Sequence, residues 1–257
     1  MTPILLSDKD HRGVVRLSLN RPDKHNALNA DLIALLTSTL QSLDQDASVR
    51  IIILTGEGVS FCSGADLEWM KASANFDEQS NYQDAKNLAE LMSVIYSLSK
   101  PTVTRVNGSA YGGGLGLIAC SDIAIACDQA KFAFTEVRLG LIPAVISPYI
   151  VNAMGARRTQ QLFMTAQRFS AQQALDSGLL HHCVKEGELD VVVEQTIVSL
   201  LKAGPHALHE LKLLNQQLSL IQHGVDLAQW IARLRVSEEG QAGIQAFLNK
   251  TPPPWCE

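Results

Sequence analysis

The chain has 257 residues, of which 46% are hydrophobic and 18% charged, a balance typical of a globular protein that buries a substantial core. The formal net charge is -5, which argues against nucleic acid or an anionic membrane surface as a partner. The apolar runs are too short or too interrupted to cross a bilayer, and the first ten residues do not resemble a signal peptide. Five cysteines without a CxxC pair predict free thiols in a reducing compartment, and therefore a cytoplasmic protein.

The first two thirds of the chain alternates between strand and helix patterns. Strands are predicted where apolar runs are bounded by turn residues, at 14–19, 51–54, 102–106, 122–127 and 131–134. Helices are predicted where apolar residues recur at helical spacing, at 31–43, at 84–98 and in the stretch that ends near residue 120. Asn29 is a plausible N-cap of the first helix, and the continuous run at 51–54 predicts a strand buried on both faces. The pattern predicts an α/β domain over residues 1–187.

After residue 187 the strand signals stop, and the segment 188–257 is predicted to be a helical region. Helices are expected at 189–201, 205–220, 225–236 and 238–248. Their apolar faces include Leu227, Trp230, Ile231 and Leu234, which predicts packing against the body of the protein or against another subunit.

Two loops of small residues follow predicted strands and lead into probable helices. They are FCSGADL at 61–67 and NGSAYGGGLG at 107–116. Small residues let the backbone approach a ligand closely, and a helix N-terminus offers free N–H groups. Two such termini side by side could donate two hydrogen bonds to one oxygen, as an oxyanion hole does. A single loop of this kind is more often a tight turn or a point where a helix packs closely on a strand. The nucleotide motifs GxGxxG and GxxxxGK[ST] are missing from the sequence.

Glu136 is the one carboxylate whose surroundings suggest chemistry. It follows a predicted strand and has Phe134, Val137 and Leu139 nearby, so desolvation could raise its pKa toward general acid/base use. The histidines do not pair with a carboxylate at triad or ligand spacing, and His209 and Glu210 are expected on different sides of a helix. We therefore predict no metal site.

Four segments resemble, in order and spacing, the signature blocks of the crotonase (enoyl-CoA hydratase/isomerase) family. They are NRPDKHNALN at 20–29, FCSGADL at 61–67, VNGSAYGGG at 106–114 and AKFAFTE at 130–136 with GLIP at 140–143. The resemblance implies a spiral of strand–strand–helix turns and a helical C-terminal region that builds trimers or hexamers. The stretch 136–149 is most similar to bacterial methylglutaconyl-CoA hydratases of leucine catabolism.

The resemblance also implies roles for individual residues. The backbone N–H groups of Ala65 and Gly113 would hold a thioester carbonyl, and Glu136 would be the general acid/base. Coenzyme A would be part of the substrate, with no separate cofactor. The positions implied to contact it are Lys24, His25, Ala27, Leu28, Ser63, Gly64, Asp66, Gly112 and Lys250. For Lys250, a solvated lysine at the end of the last helix is an equal alternative. Cys62 is expected to be a small packing residue rather than a nucleophile.

One position departs from the family pattern. Well-studied hydratases carry a second glutamate two residues after the glycine triplet, and here that position is Gly116. Two carboxylates suit the addition of water, whereas one can move a proton between two carbons. The sequence leaves three hypotheses: an enoyl-CoA hydratase, an isomerase that uses Glu136 alone, and an acyl-CoA-binding protein without activity.

Overall fold

The protein is described by a computed structural model that covers residues 2–73, 75–217 and 237–256. Two sheets form the body of the molecule, one of six strands and one of four. The six-stranded sheet contains β1 (Leu5–Lys9), β2 (Val14–Leu19), β3 (Ile51–Gly56), β5 (Thr102–Val106), β7 (Ile123–Cys127) and β10 (His182–Val184). The four-stranded sheet contains β4 (Ser60–Cys62), β6 (Ser109–Tyr111), β8 (Lys131–Ala133) and β9 (Phe169–Ser170).

Helices cover the sheets and close the spiral. Along the chain they are α1 (Ala30–Gln45), α2 (Leu67–Ser73), α3 (Glu78–Ser97), α4 (Gly113–Cys120), α5 (Ser147–Met154), α6 (Ala156–Thr165), α7 (Ala171–Asp176), α8 (Leu189–Leu201), α9 (Pro205–Gln217) and α10 (Glu238–Asn249). Short 3-10 turns occupy Pro22–Lys24, Glu136–Leu139, Glu186–Glu188 and Pro254–Cys256. No helix among these residues combines the length and apolarity that a bilayer crossing requires.

A strand–strand–helix unit repeats along the chain and builds both sheets at once. The first strands of successive units, β3, β5 and β7, pair in parallel in the large sheet. The second strands, β4, β6 and β8, pair in parallel in the small sheet. Because carboxyl ends of neighbouring parallel strands meet at one edge, the loops after β4, β6 and β8 are brought side by side. This edge carries the two small-residue loops and Glu136.

The core explains why the central strands form where they do. All six residues of β3 are buried, because β2 and β5 flank it in the sheet and β4 and α8 pack against it. The Asn29 side chain accepts a hydrogen bond from the Leu32 N–H at 3.0 Å, which confirms it as the cap of α1. The predicted α/β class and the crotonase-like spiral are confirmed.

Some boundaries differ from the predictions. The helix expected at 84–98 begins at Glu78, because the Asp77 side chain accepts the Ser80 N–H at 2.8 Å and caps it there. The strands β1, β4, β6, β9 and β10 and the helices α5 to α7 were not predicted. The helix expected at 225–236, with Leu227, Trp230, Ile231 and Leu234, lies outside the described residues.

The described C-terminal elements pack on the rest of the same chain. Glu239 of α10 accepts the backbone N–H groups of His206 and Ala207, at 2.8 and 2.7 Å, and so satisfies the start of α9. The indole N–H of Trp255 donates to the Lys202 carbonyl at 3.0 Å. These contacts attach the end of the chain to α8 and α9, so part of the helical region uses its own body as a packing partner.

Candidate active site

A cavity of about 590 Å³ opens at the edge where the loops after β4, β6 and β8 meet. Its floor is formed by those loops, and α2, α3 and the segment after the 3-10 turn at Glu136–Leu139 form its walls. The wall side chains are mostly apolar: Leu67, Trp69, Met70, Leu88, Leu139, Leu141, Ile142, Val145 and Ile146.

Among the backbone N–H groups of this cavity that have no acceptor in the described part of the chain are those of Ala65 and Gly113. Leu28 forms a short parallel bridge with Ala65: its N–H donates to Gly64 at 2.7 Å, and its carbonyl accepts from Asp66 at 2.8 Å. The intervening Ala65 N–H therefore points away from Leu28. Gly113 is the first residue of α4, where an N–H has no partner within the helix. The predicted pair of donors thus lines one cavity.

The turn before α4 brings the backbone against the carboxyl group of Glu136. Gly112 has φ 48° and ψ -118°, a conformation that side chains disfavour. A Cβ atom there would lie 3.1 Å from Glu136 Oε1. Glycine at this position is therefore what allows the donor loop and the carboxyl group to approach each other.

Glu136 begins the 3-10 turn after β8 and faces the cavity. Its Oε2 atom is buried and has no hydrogen-bond partner. Burial raises the pKa of this carboxyl above 4.5, and hydrogen bonds from the backbone N–H groups of Glu136 and Thr135 oppose the shift only in part. A half-buried carboxyl with a raised pKa and an unpaired oxygen is suited to accept and return a proton.

Neighbouring apolar side chains occupy the space that a side chain at position 116 would need. A Cβ atom on Gly116 would lie 2.4 Å from Ile146 Cγ2 and 2.9 Å from Met92 Sδ. Ile146 itself lines the cavity. The apolar side chain that covers Gly116 therefore leaves no room for a carboxylate on α4, and Glu136 is the sole carboxyl group on the floor of the cavity among the described residues.

The nine residues expected to contact coenzyme A divide into three groups. Leu28, Ser63, Gly64 and Gly112 line the cavity. Lys24 and His25 are exposed beside it, in a loop whose carbonyl groups accept hydrogen bonds from Ser63. The remaining three residues, Ala27, Asp66 and Lys250, do not line the cavity.

The Asp66 side chain holds two loops together, a role that the sequence did not reveal. It is buried, pairs with Arg21 at 2.7 Å and accepts the Glu68 N–H at 2.8 Å at the start of α2. Burial alone would raise its pKa, but the hydrogen bonds from Arg21 and from the α2 backbone prevail and lower it. The ion pair fastens the loop that carries Lys24 to the loop that carries Ala65. Arg21 was missed because nothing in the sequence indicates a partner 45 residues away.

Other predicted features lie apart from the cavity. Lys250 is exposed at the end of α10. Cys62 is fully buried, and burial raises the pKa of its thiol to about 12, which suits a packing residue. His206, His209 and Glu210 do approach one another within 4.8 Å, contrary to the expectation for Glu210. Arg50 and Lys100 line the same surface cleft as the two histidines, and such positive charges disfavour a cation there.

Two cavity residues that no motif identified are Trp69 on α2 and Asp84 on α3. The Trp69 indole N–H donates to Asp84 Oδ1 at 3.2 Å. An aspartate on a polar helix is ordinarily solvated, so its position inside the cavity becomes visible only in three dimensions.

Comparison with known proteins decides the family. The sequence profile of the enoyl-CoA hydratase/isomerase family matches residues 9–257. The chain belongs to this family. A solved enoyl-CoA hydratase from Shewanella pealeana is 41% identical to the chain, with a TM-score of 0.93, and the match covers 98% of this chain and 96% of that one.

Relatives that are named as hydratases and as isomerases have comparable sequence identity to this chain. An enoyl-CoA hydratase of Alternaria alternata is 34% identical over 91% of this chain and 78% of its own length. A peroxisomal Δ(3,5)-Δ(2,4)-dienoyl-CoA isomerase of Arabidopsis thaliana is 29% identical over 95% of this chain and 93% of its own. Membership in the family therefore implies an acyl-CoA substrate, while the choice between hydratase and isomerase depends on the site itself.

Proposed function

We propose that the protein is an enoyl-CoA hydratase, which adds water across the double bond of an unsaturated acyl-CoA. The proposal rests mainly on one observation: two unpaired N–H groups, of Ala65 and Gly113, and an unpaired oxygen of Glu136 share one cavity. This is a pair of donors for an oxygen that becomes negative, next to a group that can move a proton. The names of the hydratase relatives give the proposal independent support.

The two N–H groups would act on the thioester oxygen. When water adds to Cβ of the enoyl group, electrons move through Cα to that oxygen and an enolate forms. Donors that are already in place stabilise this charge without reorganisation, and one such donor contributes about 3–4 kcal/mol to the transition state. The dipole at the start of α4 adds to the same effect, because Gly113 is its first residue.

A single carboxyl group can complete the proton balance. The Glu136 carboxylate takes a proton from water as the oxygen–Cβ bond forms, and the resulting carboxylic acid gives that proton to Cα on the same face. The enolate then collapses to the hydroxyacyl thioester, and Glu136 returns to its starting state. Because its pKa is raised, the protonated intermediate is less unfavourable than it would be for a solvated glutamate. This sequence of steps requires no carboxylate at Gly116.

The second candidate is a double-bond isomerase, and the packing of Ile146 over Gly116 favours it. In that reaction Glu136 would take a proton from Cα of a 3-enoyl thioester and return it at Cγ, with no water consumed. The third candidate is acyl-CoA binding without catalysis, for which a desolvated carboxyl group with an unpaired oxygen has no evident use.

The finer assignments are proposals that rest on the resemblance. They comprise a branched, methylglutaconyl-like acyl group, contacts between coenzyme A and the loops at 24–28 and 63–66, no separate cofactor or metal, a homotrimer or homohexamer, and a cytoplasmic location. The exposure of Lys24 and His25 beside the cavity supports the proposed coenzyme A contact, because a cation there could meet the phosphates.

The test is the identity of the product. Wild-type protein, Glu136→Gln and the control Glu186→Gln, which alters an exposed glutamate on a distant 3-10 turn, are incubated with a panel of 2-enoyl-CoA and 3-enoyl-CoA esters that includes methylglutaconyl-CoA. We expect hydroxyacyl-CoA from wild type and the control, and none above background from Glu136→Gln. An isobaric ester with a moved double bond would instead establish the isomerase. Binding without any product would establish the third candidate.

A further inference from the structure

The acyl cavity contains a polar group on a wall that takes no part in the proposed reaction. Asp84 lies on α3, whereas the thioester donors and Glu136 lie on the loops after β4, β6 and β8. Its Oδ1 atom accepts the Trp69 indole N–H at 3.2 Å, and that bond orients the carboxylate. Its Oδ2 atom has no partner among the described residues. Ser73 and Asn81 also line this wall, but both donate hydrogen bonds to backbone carbonyl groups of the chain. The cavity therefore offers an acceptor with free capacity on a wall whose other side chains are mostly apolar.

The ionisable side chains that line the cavity all carry negative charge when ionised. Among the lining residues that the structure describes, Asp84 and Glu136 are the ionisable ones, and none is lysine, arginine or histidine. The nearby Lys71 lies on the exposed surface and pairs with Glu68 at 2.8 Å. Burial raises the pKa of Asp84, and the hydrogen bond from Trp69 opposes that shift only in part. The ionised form of Asp84 is therefore already disfavoured in the protein without a ligand.

This arrangement discriminates among acyl groups by their distal end. A terminal carboxylate would lose water, find no cation and meet a second carboxylate, so both desolvation and repulsion act against it. A plain hydrocarbon would cover Asp84 Oδ2 and leave an acceptor without a donor. A hydroxyl group would supply the missing donor.

We propose that Asp84 is a specificity-determining residue, and that it selects uncharged acyl groups, with preference for those that carry a hydroxyl donor beyond the double bond. The inference rests on the proposed function in that it places an acyl chain in this cavity. It departs from the methylglutaconyl group, whose distal carboxylate the wall would disfavour.

Binding of unreactive esters tests the inference separately from catalysis. The probes are three saturated esters of equal chain length, hexanoyl-CoA, ω-hydroxyhexanoyl-CoA and adipoyl-CoA, and their dissociation constants are measured by calorimetry. For wild type we expect adipoyl-CoA to bind at least about tenfold more weakly than hexanoyl-CoA, and the hydroxy ester to bind at least as tightly. Asp84→Asn should bring the adipoyl and hexanoyl constants within about threefold of each other, and Asp84→Leu should remove any advantage of the hydroxy ester.

The matched control is Glu78→Gln, which removes one negative charge from the exposed start of the same helix and should leave the wild-type order intact. Adipoyl-CoA binding as tightly as hexanoyl-CoA to wild type, or discrimination that persists in Asp84→Asn, would overturn the inference. Failure of all three esters to bind would overturn it together with the acyl-CoA assignment. If the esters discriminate as expected but no enoyl ester is hydrated, the hydratase proposal fails and this inference stands.

Discussion

The floor and the wall of the cavity are built by different means. The floor consists of three loops whose positions are fixed by paired parallel strands, by glycine at 112 and by the Arg21–Asp66 ion pair. The wall consists of α2, α3 and the segment 139–146, where apolar side chains are exposed to the cavity and Asp84 interrupts them. The comparison indicates that backbone geometry positions the groups that we propose for catalysis, while side chains on helices form the wall that we propose to select the acyl group.

The largest expected effect is that of a substitution on the floor of the cavity. Glu136→Gln removes the group that moves the proton and keeps its volume, so we expect kcat to fall by about 10²–10⁴. The dissociation constants of saturated acyl-CoA esters should change by less than about threefold, because the wall is untouched. Steady-state kinetics and calorimetry give the two numbers. If the affinity for these esters fell as much as kcat, the floor would also determine binding, and the proposed division of roles between floor and wall would be wrong.

A backbone change on the floor should have the next largest effect. Gly112→Ala places a Cβ atom 3.1 Å from Glu136 Oε1, at a φ of 48°. The displaced carboxyl group should lower kcat by roughly ten- to a hundredfold, since small misplacements of catalytic groups are costly. Gly187→Ala is the matched control, because no atom lies within 4 Å of a Cβ there. Wild-type turnover in Gly112→Ala would show that the close approach is unimportant.

A substitution at Gly116, which lies against Ile146 of the wall, should lower the stability of the fold. Gly116→Ala would place Cβ 2.4 Å from Ile146 Cγ2, and overpacking of this kind costs about 1–3 kcal/mol. Alanine is otherwise favoured over glycine in a helix by about 1 kcal/mol. We therefore expect a net loss of up to about 2 kcal/mol in the free energy of unfolding, measured in denaturant. A gain in stability, the ordinary result for this exchange in a helix, would show that Ile146 yields without cost.

The smallest expected effect is a gain in stability that depends on pH. The folded-state pKa of Glu136 is raised, so the protonated carboxyl stabilises the fold below 4.5, and that contribution is lost as pH rises through the folded pKa. Glu136→Gln cannot ionise, so at neutral pH it should be more stable than wild type by about 1 kcal/mol. The difference should shrink as pH falls through the folded-state pKa toward 4.5, and it should stay small below that pH. Denaturant unfolding across this range checks the sign, and a difference independent of pH would point to a cause other than ionisation.

The floor was largely predictable from the sequence, and the wall was not. Strands β3 and β5, the loops at 61–67 and 107–116 and the position of Glu136 follow from local patterns of apolar residues, glycines and turns. The Arg21–Asp66 ion pair and the Trp69–Asp84 hydrogen bond join residues on different elements. Side chains of these types are usually solvated, so no local signal distinguishes them from surface residues.

Gly116 illustrates what can and cannot be predicted from the sequence. The sequence revealed that the second glutamate was missing, but it could not reveal that Ile146, 30 positions further on, occupies the space beside it. The absence of a residue type can be seen in a sequence, whereas its replacement by packing is a property of the fold.

The most direct test of the central claim follows the atoms of water through the reaction. Turnover of a 2-enoyl-CoA is carried out in deuterated heavy-oxygen water, and the product is analysed by mass spectrometry with location of the labels. The account predicts heavy oxygen at Cβ and one deuterium at Cα, with both labels lost in Glu136→Gln. A product without heavy oxygen, in which the double bond has moved, would contradict the hydratase assignment and establish that Glu136 only transfers a proton between carbons.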